Sequence, residues 1–239
     1  MRGYLLRAAL FAPLLTACSP VPSGDGLTAT ELQALRDRER PTTAWVLSVE
    51  DPESRRLLEQ PSRPIDPRVP ELPALIAVME RAARVYGGMG IAAVQVGVPV
   101  RLALLRRDNG RGEFQAFLNP ELLWASGELS DSWENCLSVP WGYRHTSRPR
   151  EIRVRYQTVS GLTRIETLMH DEAVVFQQEL DHMDGALLSE GHDRRWFIPK
   201  DEIAGFVTEM GKLCREIPEA ECRKLIQARI AARAGAAPP

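Results

Sequence analysis

Seven consecutive residues, Phe176-Gln177-Gln178-Glu179-Leu180-Asp181-His182, carry side chains suited to hydrolysis at helical spacing. Residues four apart on a helix share a face, with Cβ atoms about 5–6 Å apart, so Gln178 and His182 can converge on one point while Glu179 sits beside it. Two histidines there would make the zinc-type H-E-x-x-H pair, with the glutamate as general base. The first is a glutamine here, and alone the string reads first as a solvated polar helix face. The second reactive group is Cys136. Cys214 and Cys222 sit eight apart across Glu216-Ile217-Pro218-Glu219, where the proline suits a break between helices, so a disulfide closing a helical hairpin is feasible. With Cys18 in an export signal, Cys136 has no partner. That points to ligand or nucleophile duty, against the plainer reading of a buried apolar thiol.

These groups need a scaffold. Leu72, Leu75, Ile76, Met79, Ala83 and Tyr86 recur every three or four residues and predict an amphipathic helix ending at Gly87-Gly88. Short strands are expected over Arg101 to Leu105, Phe114 to Leu118, Ile152 to Tyr156 and Arg164 to Met169. Asp171 to Asp184 then reads as a helix with Ala173, Phe176, Leu180 and Met183 on its core face, and Lys200 to Ala234 as a mostly helical tail. A helix packed against several short strands is an α+β pattern, not the alternation of a parallel sheet.

The composition is that of a globular domain: 239 residues, 44% hydrophobic, 26% charged, formal net charge −2. Thirty basic against 32 acidic residues create no cationic field, so nucleic acid is not an expected partner, and Trp133, Trp141 and Trp196 read as packing residues. At the start, Arg2 and Arg7 flank an apolar run, Ala8 to Leu15, far shorter than the roughly 20 residues of a bilayer span, which reads as a secretory signal. It ends in Leu15-Thr16-Ala17-Cys18, which resembles the lipobox of bacterial lipoproteins, where the cysteine is acylated and becomes the first mature residue. The expected organisation is a signal peptide over 1–17, a tether with one short helix over 18–43, a main domain over 44–197 and a helical extension over 198–239. The expected location is a membrane, reached through a lipid on Cys18, with the domain facing the periplasm.

Two upstream segments join the helix motif: Gly88-Met89-Gly90-Ile91-Ala92-Ala93-Val94-Gln95-Val96-Gly97 and Trp133-Glu134-Asn135-Cys136-Leu137-Ser138-Val139-Pro140. In this order the three resemble the signatures of peptide deformylases, G-x-G-[IL]-A-A-x-Q, E-G-C-L-S and Q-H-E-x-D-H. Asn119-Pro120-Glu121, Arg148 and Asp184-Gly185 are similar too, over roughly residues 46 to 195. The resemblance implies the deformylase α+β architecture, antiparallel sheets around a central motif helix with Cys136 laid against it. It implies a divalent metal, iron(II) with zinc or nickel as substitutes, held by Cys136, His182 and, in the place of a histidine, Gln178. Glu179 matches the general base and acid, and Gln95 with the Leu137 backbone N–H matches the oxyanion donors. The backbone at Met89 and Gly90 matches the edge to which a substrate peptide adds as a strand.

Three positions depart from the pattern. A neutral amide oxygen is a weaker and harder donor than imidazole, so Gln178 predicts loosened metal binding or a site without metal. Asn135 stands for a glycine and Val94 for a proline. Of the other histidines, His145, read as lying in a loop, is a candidate replacement ligand, whereas His170 reads as distant and His192 as surface. The implied function is removal of N-formyl groups from methionyl peptides with impaired or altered metal binding. The alternative is a non-catalytic module that captures peptide N-termini on the same scaffold, and a third reading is a tethered scaffold without peptide affinity.

Overall fold

The computed structural model describes residues 26–39, 46–107, 111–192 and 194–235, so the export signal and Cys18 lie outside the described residues. Two helices cover the opposite faces of one sheet. The sheet has the order β1 (Gly90–Ala92), β2 (Leu102–Arg106), β3 (Phe114–Ala125), β6 (Glu151–Gln157), β7 (Thr163–Met169), antiparallel throughout. Alternate residues of β2 point to opposite sides. Leu102 and Leu104 join Leu75, Met79 and Ala83 of helix α3 (Leu72–Tyr86), whereas Ala103 and Leu105 join Phe176 and Met183 of helix α4 (His170–Met183). A strand buried on both faces reads as an unbroken apolar run, which is why it is visible in the sequence.

α3 stops where expected. Gly87 takes φ 70°, a left-handed value costly for a residue with a Cβ, and its N–H turns back to the Arg84 carbonyl. α4 presents Phe176 to the rings of Phe117 and, through it, Tyr156, with centroids 4.6 and 4.4 Å apart. Burying Phe176 fully contributes roughly 1.5–3 kcal/mol and fixes the helix's rotation.

The second sheet, the hairpin β4 (Leu129–Cys136) and β5 (Val139–Pro149), has no counterpart in the sequence-based expectation. His145, expected in a loop, lies within β5 opposite Trp133 and is buried. The helix α1 (Ala29–Glu39), expected within a tether, is docked: Leu27 and Leu35 are buried beside α3, and Glu31 meets Arg63 at 2.6 Å. A further short helix, α2 (Pro52–Leu58), is capped by the Asp51 carboxylate, which accepts the Ser54 N–H at 2.8 Å. The tail forms α5 (Ile203–Leu213) and α6 (Glu219–Arg233), joined by a Cys214–Cys222 disulfide, and packs Phe206, Met210, Ile226 and Ile230 toward Trp133.

Candidate active site

The motif residues meet because α4 places Val175, Gln178, Glu179 and His182 in one stripe, three or four residues apart. At the foot of that stripe His182 Nε2 lies 3.1 Å from Cys136 Sγ, at the end of β4, and both residues are almost wholly buried. Gln95 enters from the 3₁₀ turn Ala93–Val96 that follows β1. Its Oε1 accepts the Ala92 N–H at 2.9 Å, which aims Nε2 at Ser138 Oγ, 3.2 Å away, and at Cys136 Sγ, 3.8 Å away. The Leu47 and Val49 N–H groups bond the carbonyls of Gln95 and Ser138, at 2.8 and 2.9 Å, strapping the two segments side by side. The sequence marks Ser138 as part of a motif without a role, and it gives no sign of the strap, because main-chain bonds leave no side-chain signature.

Above the buried pair opens a cleft of about 380 Å³, with Met89, Gly90, Asn135, Leu137, Gln178 and Glu179 among its lining residues. Gly90 is required by contact: a Cβ there would stand 2.5 Å from Glu179 Oε1 and 2.7 Å from Val175 Cγ1. β1 is the end strand of its sheet, so its outer edge carries backbone groups not used in strand pairing, beside the cleft. Met89 sits exposed at the rim.

Gln178 reaches sideways as well as inward. Its Nε2 donates to Glu134 Oε2 at 2.9 Å, and Glu134 is gripped by Arg148 through Nε at 2.6 Å and Nη2 at 3.0 Å. Arg148 also meets Asp181 at 2.8 Å, and the Thr146 hydroxyl donates to Glu134. With Nε2 fixed by a carboxylate, the amide's other arm, Oε1, is the atom left to serve as a donor. A histidine at position 178 could use one ring nitrogen for the carboxylate and the other for a metal, the usual outer-shell arrangement for a ligating imidazole. The amide nitrogen of Gln178 takes the carboxylate half of that division.

Burial pushes the Cys136 thiol up to about 12 and the His182 imidazole down to about 4, and it holds the Glu179 carboxyl well above the ordinary carboxylate range. Each favours its neutral form because water is excluded. Glu179 Oε2 and His182 Nδ1 are buried without a protein partner, so the pocket is built around polar atoms that the fold itself does not satisfy. A neutral imidazole is ready to ligate, and a cation beside the thiol would lower the cost of its thiolate. The donor set fits a borderline divalent ion through two good ligands and one weak one. Among the described residues there is no group of three or more His, Cys, Asp or Glu side chains that could hold a metal.

His145 is not in this constellation: its Nδ1 contacts Gln227 Nε2 at 3.0 Å and its ring packs on Trp133, away from Cys136's partners. His170 opens α4 with its Nδ1 accepting from Arg150, and His192 is a surface residue near Trp196. Trp133 and Trp141 pack edge-on against Phe206 and Phe197.

The sequence profile described as polypeptide deformylase matches residues 43–195. A peptide deformylase from Rhodopseudomonas palustris (strain BisB5) is 35% identical over 134 residues, covering 54% of this chain and 77% of that protein, and one from Phenylobacterium zucineum is 37% identical over 132 residues, covering 54% and 78%. Among solved structures, the peptide deformylase of Thermotoga maritima superposes with a TM-score of 0.56 at 30% identity, covering 62% of this chain and 96% of that one. A class I type b peptide deformylase from Acinetobacter baumannii, with Met-Ala-Ser bound, gives 0.55 at 27% identity over 61% and 95%. The chain belongs to the polypeptide deformylase family. Its α+β fold is the fold of those structures, and the relationship supports an amidohydrolase scaffold of a family that uses a divalent metal.

Proposed function

We propose that the protein is a metal-dependent amidohydrolase that removes formyl groups from peptide N-termini, with weakened metal binding. The observation that carries this reading is the meeting of Cys136 Sγ and His182 Nε2 at 3.1 Å beneath a cleft walled by Glu179 and Gln95. Cys136, His182 and Gln178 Oε1 would hold the ion, iron(II) or a zinc or nickel substitute. Bound there, it would supply Lewis acidity toward the attacking water.

The remaining steps belong to the chain. The edge at Met89 and Gly90 takes the peptide as an added strand and orients the formyl group toward Cys136 and His182. Glu179 is neutral while the pocket holds no cation; a cation at Cys136 and His182 would favour its carboxylate, which then accepts the proton of the attacking water and hands it to the departing amine. Gln95 Nε2 and the Leu137 N–H donate to the carbonyl oxygen as it gains negative charge. Arg148 and Glu134 hold Gln178 in position. Binding of Met-Ala-Ser by the Acinetobacter relative supports a methionyl peptide as the ligand class.

The test is formate release from a formyl-methionyl peptide by the full-length chain reconstituted anaerobically with iron(II) or nickel(II), alongside Gln178→His. The histidine variant is expected to bind metal at least ~10-fold more tightly, in line with ligand-environment changes at metal sites, and to turn over faster. No formate from either protein would refute the enzyme reading. Peptide binding without hydrolysis would establish the second reading, a module that captures peptide N-termini, which the amide at position 178 favours.

We further propose that the chain is exported and anchored by a lipid on Cys18, facing the periplasm. The basic, apolar and Leu15-Thr16-Ala17-Cys18 pattern supports this. Loss of radiolabelled palmitate incorporation in Cys18→Ala, with incorporation in the parent chain, is the expected result. Equal labelling of both would overturn it.

A further inference from the structure

We propose that Asp171, at the open end of the cleft, selects peptides that carry a basic side chain at the third residue from the formyl end; this deepens the peptide-deformylating reading above and rests on it. The direction of the peptide follows from the three walls of the cleft. One wall runs from Gly87 through β1 to Gln95, the second along β4 from Ser132 to Cys136, and the third along α4 from Asp171 to His182. All three end at the reacting centre, where Gln95 Nε2 and His182 Nε2 approach Cys136 Sγ at 3.8 and 3.1 Å. A peptide with its formyl group there therefore leaves past Gly87, Ser132 and Asp171.

The open end holds an uncompensated charge. No Lys, Arg or His is among the residues lining the cleft, whose carboxylates are Glu134, Asp171 and Glu179. Glu134 is gripped by Arg148, and Glu179 is buried at the reacting end. Asp171 is exposed and makes no hydrogen bond or ion pair among the described residues. An acid in the first turn of a helix is favoured by the helix dipole, but Glu172 fills that role while bonded to Arg107 at 3.2 Å, and it does not line the cleft. A free carboxylate in the mouth of a cleft without cations attracts a positive charge in the ligand and repels a negative one.

Spacing assigns the third residue. Asp171 and His182 are eleven steps apart on α4, about 16.5 Å along the axis at roughly 1.5 Å each. In an added strand the first and third residues share a side and lie about 7 Å apart. Once the amide link is included, the third Cα stands about 9 Å from the formyl carbon. The remaining ~7 Å to Asp171 is the reach of four methylenes and an ammonium group. The first side chain lies over Val174 and Val175, the apolar part of the α4 stripe, and a lysine stem continues that contact while its head stays in water. The second residue turns to the other side of the strand, so a cation there gains little from Asp171.

The test is calorimetric titration of the full-length chain with C-terminally amidated Met-Ala-Lys, Met-Lys-Ala, Met-Ala-Ser and Met-Ala-Glu, free-amine peptides that report binding without turnover. Met-Ala-Lys is expected to bind about threefold more tightly than Met-Ala-Ser, and Met-Ala-Glu about threefold more weakly, the strength of a partly exposed ion pair and of its reversal. Both differences should shrink as salt is raised. Asp171→Asn should bring the lysine, serine and glutamate peptides to within about 1.5-fold of one another, and Asp171→Lys should invert their order. An unchanged preference in Asp171→Asn, or an equal gain for Met-Lys-Ala, would overturn the proposal, because the preference would then belong to the charge of the whole chain. Equal binding of all the peptides sinks the charge selection alone, whereas binding of none sinks the peptide-groove reading on which it rests.

Discussion

The β4–β5 hairpin has two faces that are stabilised by different physics. Toward α4 it presents Glu134, Thr146 and Arg148, an ionic cluster taken out of water, and it ends in Cys136. Toward α5 and α6 it presents Asp131, Trp133 and His145, where an exposed-to-half-buried ion pair, Asp131 with Arg223 at 2.8 Å, rims a small apolar cluster around Phe206 and Ile230. The family match spans residues 43–195, so both faces of the hairpin lie within the shared domain, and only the helices that cover its outer face, α5 and α6, lie beyond it. One strand pair thus carries the site on one side and is braced by the extension on the other.

The largest expected effect breaks the inner face. Arg148→Met leaves Glu134, 7% exposed, buried without its counter-charge, and loss of one partner of a buried pair costs about 3–5 kcal/mol. Urea denaturation should show it, together with weaker metal binding as Gln178 loses its orientation. Arg148→Lys should recover only part, because a point charge cannot replace the two-armed grip on the carboxylate. A loss below about 1 kcal/mol would mean the two faces are alike.

On the outer face Trp133→Ala removes the ring that packs on both Phe206 and His145. A fully buried tryptophan would cost about 3–5 kcal/mol on truncation, and this half-buried one should cost about 2. Hydrogen exchange should rise in α5 and α6 first, because Trp133 is the shared packing element. Unchanged exchange in the extension would show that it is braced from elsewhere, whereas Arg223→Ala, at a partly solvated pair, should cost no more than about 1 kcal/mol.

The same contrast explains what was legible in the sequence. α3, α4, β2 and the two tail helices bury apolar stripes of regular period, and the disulfide follows from a proline between two cysteines. The hairpin was illegible because its inward residues are Glu134, Thr146 and Arg148, which satisfy one another. A strand whose buried side is charged shows no polar–apolar alternation. Arg148 is legible as part of a resemblance but its role is not, since the register that sets it on Glu134 and Asp181 exists only after folding. Likewise nothing in the sequence shows that the Gln178 amide nitrogen is held by the Glu134 carboxylate.

The smallest expected effect is a pH dependence confined to the outer face. Burial lowers the pKa of His145, against the pull of Asp131 and with a small push from Arg223. The folded state therefore prefers neutral imidazole, while the unfolded chain takes up its proton at its ordinary value near 6.5. Protons bound preferentially to the unfolded chain make stability fall as pH falls. The contribution should be complete above about pH 7 and lost progressively as pH drops through 6.5. The wild type should lose more stability than His145→Gln between pH 7.5 and 5.5, by about 1 kcal/mol or less. Taking the difference between the two proteins removes the carboxylates common to both. Parallel curves would place His145 in water in the native state, and with it would go the claim that the extension seals this face of the hairpin.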